Sequence, residues 1–392
     1  MRKLLLVGLC FFLLQNQARA EVRELSSPAA THSKTPFLFA TNQALYMTWI
    51  QETGKSHTLK FAKYDGKIWT QPSTIVSDVP LFVNWADFPS LYVLDGGMLV
   101  AHWLQQSGKG KYAYDVMISV SKDEGKTWSP GIRPHKDSAE GEHGFVSLIP
   151  AKSGFETIWL DSRKFNQKDL HSMGNEMQLM SSVYSNGAFA SESVLDSRVC
   201  DCCQTAATMT ENGPIVLYRD RSNAEIRDIS YVRREGDKWT SPKTLHSDNW
   251  KIAACPVNGP AVSANGKDVI AAWFTASGDK PQVNVSISSD SGATFGKAIR
   301  IDSGNPSGRV DVKWLDQTTA IVSWLENKSN GGADIMVRKV KHGKVETPIV
   351  VSPASAARAS GFPRLGVWGK GAVIAWTYVG DNSTSVKLAL IP

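Results

Sequence analysis

The chain has 392 residues, a formal net charge of +6 and a 42% share of hydrophobic residues. That length and apolar share exclude a disordered or collagen-like chain and allow one large or two average domains. The basic surplus is small, with no Lys/Arg block interleaved with aromatics, which argues against nucleic acid and leaves room for an anionic ligand.

Arg2 and Lys3 precede an apolar stretch from Leu4 to Leu14, and Ala18-Arg19-Ala20 follows. A basic start, a short apolar run and a small-x-small site describe a secretion signal. Residues 1–20 are expected to be removed, leaving residues 21–392 as one domain in the periplasm or outside the cell. The apolar run is too short to cross a bilayer. Leu9 and the apolar residues after Cys10 do not suit a lipoprotein signal. The rest has no second run of spanning length, so no transmembrane anchor is expected.

From there one apolar segment ending in an aromatic recurs. It reads Leu45-Tyr46-Met47-Thr48-Trp49, then Met98 to Trp103, Phe155 to Trp159 and Ile215 to Tyr218, with further copies ending at Trp273, Trp324 and Trp376. The aromatics are roughly 50 to 60 residues apart, the spacing of propeller blades. Before each copy lies a short β-prone run, such as Phe88 to Val93, joined to it by a hairpin turn such as Asp95-Gly96-Gly97. A third run follows (Asp115 to Val120), and in most copies a fourth (Lys243 to His246). Four antiparallel strands make a blade. The pattern predicts an all-β propeller of seven blades, with six as the alternative. The seventh copy has three strands, ending at Ser385 to Leu390, and Val22 to Ser26 is expected to supply its fourth and close the ring. The recurring tryptophans are core by this periodicity.

Two turns carry a specific signature. Ser121 to Trp128 and Ser288 to Phe295 both fit Ser-x-Asp-x-Gly-x-Thr-aromatic, the Asp-box. In each, Asp123 or Asp290 can accept N–H bonds inside the turn, Gly125 or Gly292 supplies a positive φ, and Trp128 or Phe295 packs beneath. These are structural residues of a turn between the third and fourth strands, away from the axis.

With these boxes the chain resembles the sialidase-like superfamily of Asp-box (BNR-repeat) propellers. The resemblance implies an axial pocket for a glycan or other anionic ligand. It also implies, for a sialidase, an arginine triad, a Tyr nucleophile paired with Glu, and an Asp acid/base. Ala86-Asp87-Phe88-Pro89-Ser90 matches the segment that carries the Asp, so Asp87 is the candidate general acid. Leu217-Tyr218-Arg219-Asp220-Arg221 matches a strand that ends in a triad arginine, which makes Arg219 and Arg221 candidates. Arg309 and Arg364 open the sixth and seventh repeats and could also face the axis. Tyr378, in the last repeat, is the candidate nucleophile. Two positions depart from the family: Thr35-Pro36-Phe37 stands where an Arg-Ile-Pro is expected, and Gln204 where the Glu is expected.

Loops that enter the innermost strands of a propeller converge on one mouth of its channel. Cys200, Cys202, Cys203 and Gln204 precede the fourth innermost strand, Cys255 the fifth, and His143 opens the third, so these residues and Trp85, a possible sugar-stacking platform, are expected around one cavity. In an exported chain the four cysteines read first as disulfides. A soft-metal site for copper or zinc, with thiolates and His143, is the alternative. No cofactor is otherwise expected, and a monomer is. Three functions follow: a carbohydrate-binding propeller that could be an exo-glycosidase, a non-catalytic binding or scaffold propeller, or a metal- or redox-linked protein centred on the cysteines.

Overall fold

The computed structural model describes residues 21–138, 140–165 and 175–392; the expected signal, residues 1–20, lies outside them. Seven antiparallel sheets follow one another around an axis, one per repeat. The innermost strands are Ser33–Ala40, Ser90–Val93, His143–Ala151, Ala206–Thr210, Ala261–Asn265, Pro306–Trp314 and Arg364–Trp368. Each pairs with the next strand through a tight hairpin, and the chain then steps outward. In blade 2 the fourth strand shrinks to one bridge between Ile118 and Ile132.

The ring closes as the termini predict. Arg23–Leu25 pairs antiparallel with the last strand, Thr384–Ile391, setting Leu25 opposite Leu388. Blade 7 therefore contains both ends of the described chain and leaves no unpaired long edge there.

No blade has its own core. Alternating side chains cover both faces of every sheet, and each face is buried only against the next blade. Apolar clusters fill the seams: Leu45, Met47 and Trp49 of blade 1 meet Val373, Ala375 and Leu388 of blade 7, and Trp324 of blade 6 meets Ile270 and Val285 of blade 5. All six recurring tryptophans are buried, none above 6% exposure, and Tyr218 takes that place in blade 4. Their indole N–H groups are often satisfied within the blade, as where Trp159 Nε1 donates to Asp161 Oδ2 at 2.8 Å.

The Asp-boxes form as expected. Asp123 Oδ1 accepts Thr127 N at 2.9 Å and its Oδ2 accepts Thr127 Oγ1 at 2.6 Å; Asp290 and Thr294 repeat both bonds. Trp128 packs edge-on against Phe61 of blade 1, and Phe295 against Tyr231 of blade 4, so each box ties its blade to the preceding one. A third strand ends on the face opposite the one where the first begins, so both boxes lie away from the mouth.

Gly125 has φ +83°, and a Cβ there would sit 2.1 Å from Phe61 Cζ. Gly54 has φ +61° but open space around it. Gly125→Ala should lower stability by more than about 1 kcal/mol and by more than Gly54→Ala does. Urea midpoints of the two variants measure this; equal losses would show that the seam contact contributes nothing.

Candidate ligand cavity at the axial mouth

A channel of about 290 Å³ runs between the innermost strands, lined by Phe37, Phe88, Thr205, Val262, Asp311 and Arg364 among others. At the face where these strands begin lies a cavity of about 580 Å³. The two meet around Ala86 and Phe145, which line both. The strand starts at this face are irregular. Thr35, Phe145, Val257 and Arg309 all have positive φ between +49° and +56°, and the pairing of blades 1, 3 and 6 slips by a bulge. Bulges and strained residues re-aim side chains and backbone groups, and they gather where a site is built.

Asp87 is the first product of that geometry. The bulge at Phe145 aims its N–H at Asp87 Oδ1, 2.9 Å away, while Asp87 Oδ2 accepts the Tyr114 hydroxyl at 3.4 Å. The carboxylate fits only because residue 144 is glycine; a Cβ there would lie 2.0 Å from Oδ2. Burial pushes the Asp87 carboxyl up to about 7, against the lowering effect of its two hydrogen bonds. Asp87 faces the channel and Tyr114 faces the mouth cavity, so the pair links the two spaces.

Glu142 lines the same cavity. Burial, with lesser contributions from the Asp201 and Asp87 charges, pushes its carboxyl up to about 8, so it is mainly protonated at neutral pH. Its backbone is fixed by bonds with Ser162, whose Oγ accepts the Glu142 N–H at 2.6 Å and whose N–H donates to Glu142 O at 3.0 Å. Four cations also line the cavity: Lys111, Arg221, Arg227 and Arg358. Against them stand Asp201 and Glu225, so with Glu142 neutral the lining has at least two excess positive charges. Glu225 bridges Arg221 and Arg227, with N–O distances of 2.9 Å to each. Trp85, Tyr112 and Phe165 supply apolar wall.

The sequence-derived candidates divide. Trp85, Arg221, Cys202 and Cys255 line the cavity. Trp85 is held there by Arg309, whose guanidinium lies 4.8 Å above its ring. Arg309 itself donates to Ser360 Oγ at 2.7 Å and Gly361 O at 2.9 Å, a clamp on the loop that enters blade 7. Gln204 is a bracket: its Nε2 donates to Ala86 O and its Oε1 accepts Gly259 N. Arg364 lies deeper, in the channel, with Nε 3.3 Å from Asp311 Oδ2 and its guanidinium against Phe37 and Phe88.

Three expectations need correction. Arg219 is 1% exposed and its guanidinium nitrogens donate to the carbonyls of Asn258, Arg227 and Phe274, while its face rests on Trp250. It is a strut between blades and does not reach the cavity. Tyr378 is 47% exposed and does not line it either. His143 points the other way from its neighbour Glu142, because adjacent strand residues face opposite sides. Its ring stacks on His135, with centroids 3.9 Å apart and planes at 2°, inside a buried box made by Asp115, Asp137 and Asp161. Burial lowers both imidazoles, but the three carboxylates outweigh this at His143 and leave it above its ordinary value, whereas His135 falls below. The ion pairs of the box tie blade 2 to blade 3.

The cysteines converge, as expected, but no pair lies at bonding distance. Cys200 Sγ is 3.4 Å from Cys203 Sγ and 3.9 Å from Cys202 Sγ, and Cys255 approaches Cys202 from the next blade crossing. Tyr114 and Arg227 are the residues that sequence reasoning missed. Glu142 stands one alternation step from His143 in the same strand start, where the sequence already places an acidic residue at the mouth.

The family model described as BNR repeat-like domain matches residues 44–373. No curated protein matches the chain in sequence. Among solved structures, an ulvan lyase of polysaccharide lyase family PL25 is 11% identical, with 94% of this chain and 96% of that one covered and a TM-score of 0.56. A protein of unknown function from Dyadobacter fermentans is 13% identical over 95% and 98%, with a TM-score of 0.54. A mutant of the NanB sialidase from Streptococcus pneumoniae is 11% identical over 94% and 70%, with a TM-score of 0.47. At these identities the likeness is one of fold.

A carboxyl raised in the folded state favours folding at low pH and loses that advantage as the pH rises through its folded value. For Glu142 the window runs from 4.5 to about 8. Glu142→Gln should therefore flatten the fall of stability across that window, read as urea midpoints against pH. A slope identical to that of the natural chain would show that Glu142 titrates normally.

Proposed function

The chain belongs to the BNR repeat-like family, and on that footing we propose that its axial mouth binds an acidic carbohydrate and donates a proton to it from Glu142. One observation carries this reading: a half-buried carboxyl, pushed up to about 8, faces a cavity whose lining has a cationic surplus. A protonated carboxylic acid beside fixed cations suits a ligand that brings its own negative charge and an oxygen to be protonated.

The parts then take roles. Lys111 and Arg358 attract the acidic group, and guanidinium is the better fork for a carboxylate or sulfate. Tyr112 and the edge of the Trp85 ring give the sugar an apolar wall. Glu142 protonates a leaving oxygen. Asp87, poised near neutrality, is placed to accept the proton of Tyr114, whose phenol burial holds well above its ordinary value. Tyr114 and Asp87 would then make the Tyr–carboxylate pair for which the sequence offers Tyr378 and, at the Glu position, only Gln204. Support also comes from the ulvan lyase of the same fold, solved with -[GlcA(1-4)Rha3S]- bound, a saccharide that bears a carboxylate and a sulfate. An exported location, which the N-terminal segment favours, would place this cavity among extracellular or cell-surface glycans.

The test is a panel of sialosides and uronate-containing or sulfated oligosaccharides, with binding followed by calorimetry and cleavage by released product. At least one acidic member should bind and its neutral counterpart should not. Glu142→Gln and Asp87→Asn should each lower turnover by about 10²- to 10⁴-fold while binding holds. Binding without cleavage in the natural chain would sink the catalytic part, and no acidic ligand across the panel would sink the whole reading.

A further inference from the structure

The cysteine cluster is not used by that function. It sits where the chain leaves the outer strand of blade 3, Ser193–Val199, and crosses to the innermost strand of blade 4. Residues 200–203 make a tight turn there, anchored by the bond from Cys200 N to Arg219 O at 3.0 Å. A turn brings its first and last residues together. Cys200 and Cys203, 0% and 1% exposed, therefore meet under the turn, and Cys202 joins them, so all three sulfurs lie within 4.8 Å of one another.

We propose that Cys200, Cys202 and Cys203 form a three-sulfur site for the soft monovalent cation Cu(I). Thiolate ligands favour Cu(I) and Zn(II) among the common ions. The number of sulfurs decides between them. Zinc in a closed site takes four ligands in a tetrahedron. Here the fourth sulfur, Cys255, groups with Cys202 and Asp201 and not with Cys200 or Cys203, so three ligands converge and a fourth does not.

The charges around the cluster suit an anionic metal–thiolate centre. Arg227 Nη1 lies 3.3 Å from Cys200 Sγ, and the Arg219 guanidinium is close enough to act on the same sulfur. Three thiolates around one Cu⁺ make a centre of charge 2−, which the two arginines offset, and the thiol protons that the metal displaces pass to solvent. No change of oxidation state is involved. A single disulfide between Cys200 and Cys203 would leave Cys202 as a buried thiol. Two disulfides, Cys200–Cys203 and Cys202–Cys255, are the competing use of the same four sulfurs.

The full protein, reduced and kept anaerobic, is titrated with Cu(I) against a colorimetric Cu(I) chelator. One equivalent should bind. Cys255→Ser should keep the equivalent, Cys200→Ser and Cys203→Ser should lose it, and Arg227→Gln should weaken it by about 10- to 100-fold, as loss of an outer partner does. If serine at the buried positions costs the fold, X-ray absorption of the copper-loaded natural chain reads the site directly, and three sulfur neighbours are expected. Thiol trapping at lysis and peptide mapping provide the opposing arm. Both disulfides in the protein as isolated, no copper retained against the chelator, or a tetrahedral zinc site that requires Cys255 would each overturn the proposal.

Discussion

The structure depends on seven apolar seams that only neighbouring blades can fill. A blade buries neither face by itself, so its stabilisation comes from the partner on each side. Each recurring tryptophan, almost wholly withdrawn from water, is worth a few kcal/mol of transfer free energy when its seam is complete. A ring of such seams has no strong point of its own and must be closed. The closing strand Arg23–Leu25 is short, but it covers the last open edge and adds Leu25 to the seam between blades 7 and 1. The Asp-boxes serve the same end, because their aromatics reach back across a seam to the blade before.

A rigid ring lets the mouth be irregular. The seams fix where each innermost strand starts, and bulged or positive-φ residues at those starts then point backbone N–H groups into the interior. Phe145 holds Asp87 in this way, and Gly144 gives the carboxylate its room. The same packing that excludes water raises Asp87 and Glu142. The raised carboxyls at the mouth are therefore a consequence of how tightly the blades meet beneath it.

Two polar clusters beside the cavity show how neighbouring residues take opposite roles. Along one strand start, Glu142 faces the cavity and His143 faces the stacked-imidazole box. One blade later in the ring, Asp201 and Cys202 face the cavity, while Cys200 and Cys203 lie beneath them with the arginines. The cavity wall and its support are thus drawn from neighbouring residues of the same short segments. A change on the hidden side is expected to reach the cavity through backbone position.

How much of this was legible follows from the kind of signal each part leaves. The strand repeats, the blade number, the closing strand, the Asp-boxes and the buried tryptophans were readable, because each is a local pattern repeated at a fixed period. The convergence of Asp87, the Cys200–Cys203 turn and Cys255 was readable as well, since propeller topology sends all strand starts to one mouth. The choice of Arg219, His143 and Tyr378 was not, because it turns on which way a side chain points and on which groups of neighbouring blades it meets. By itself the sequence determined a seven-bladed ring and the loops that form its mouth. Only the tertiary structure decided which residues of those loops face the cavity, because burial, bulge register and the spending of guanidinium donors on backbone carbonyls are set by neighbouring blades far away in the chain.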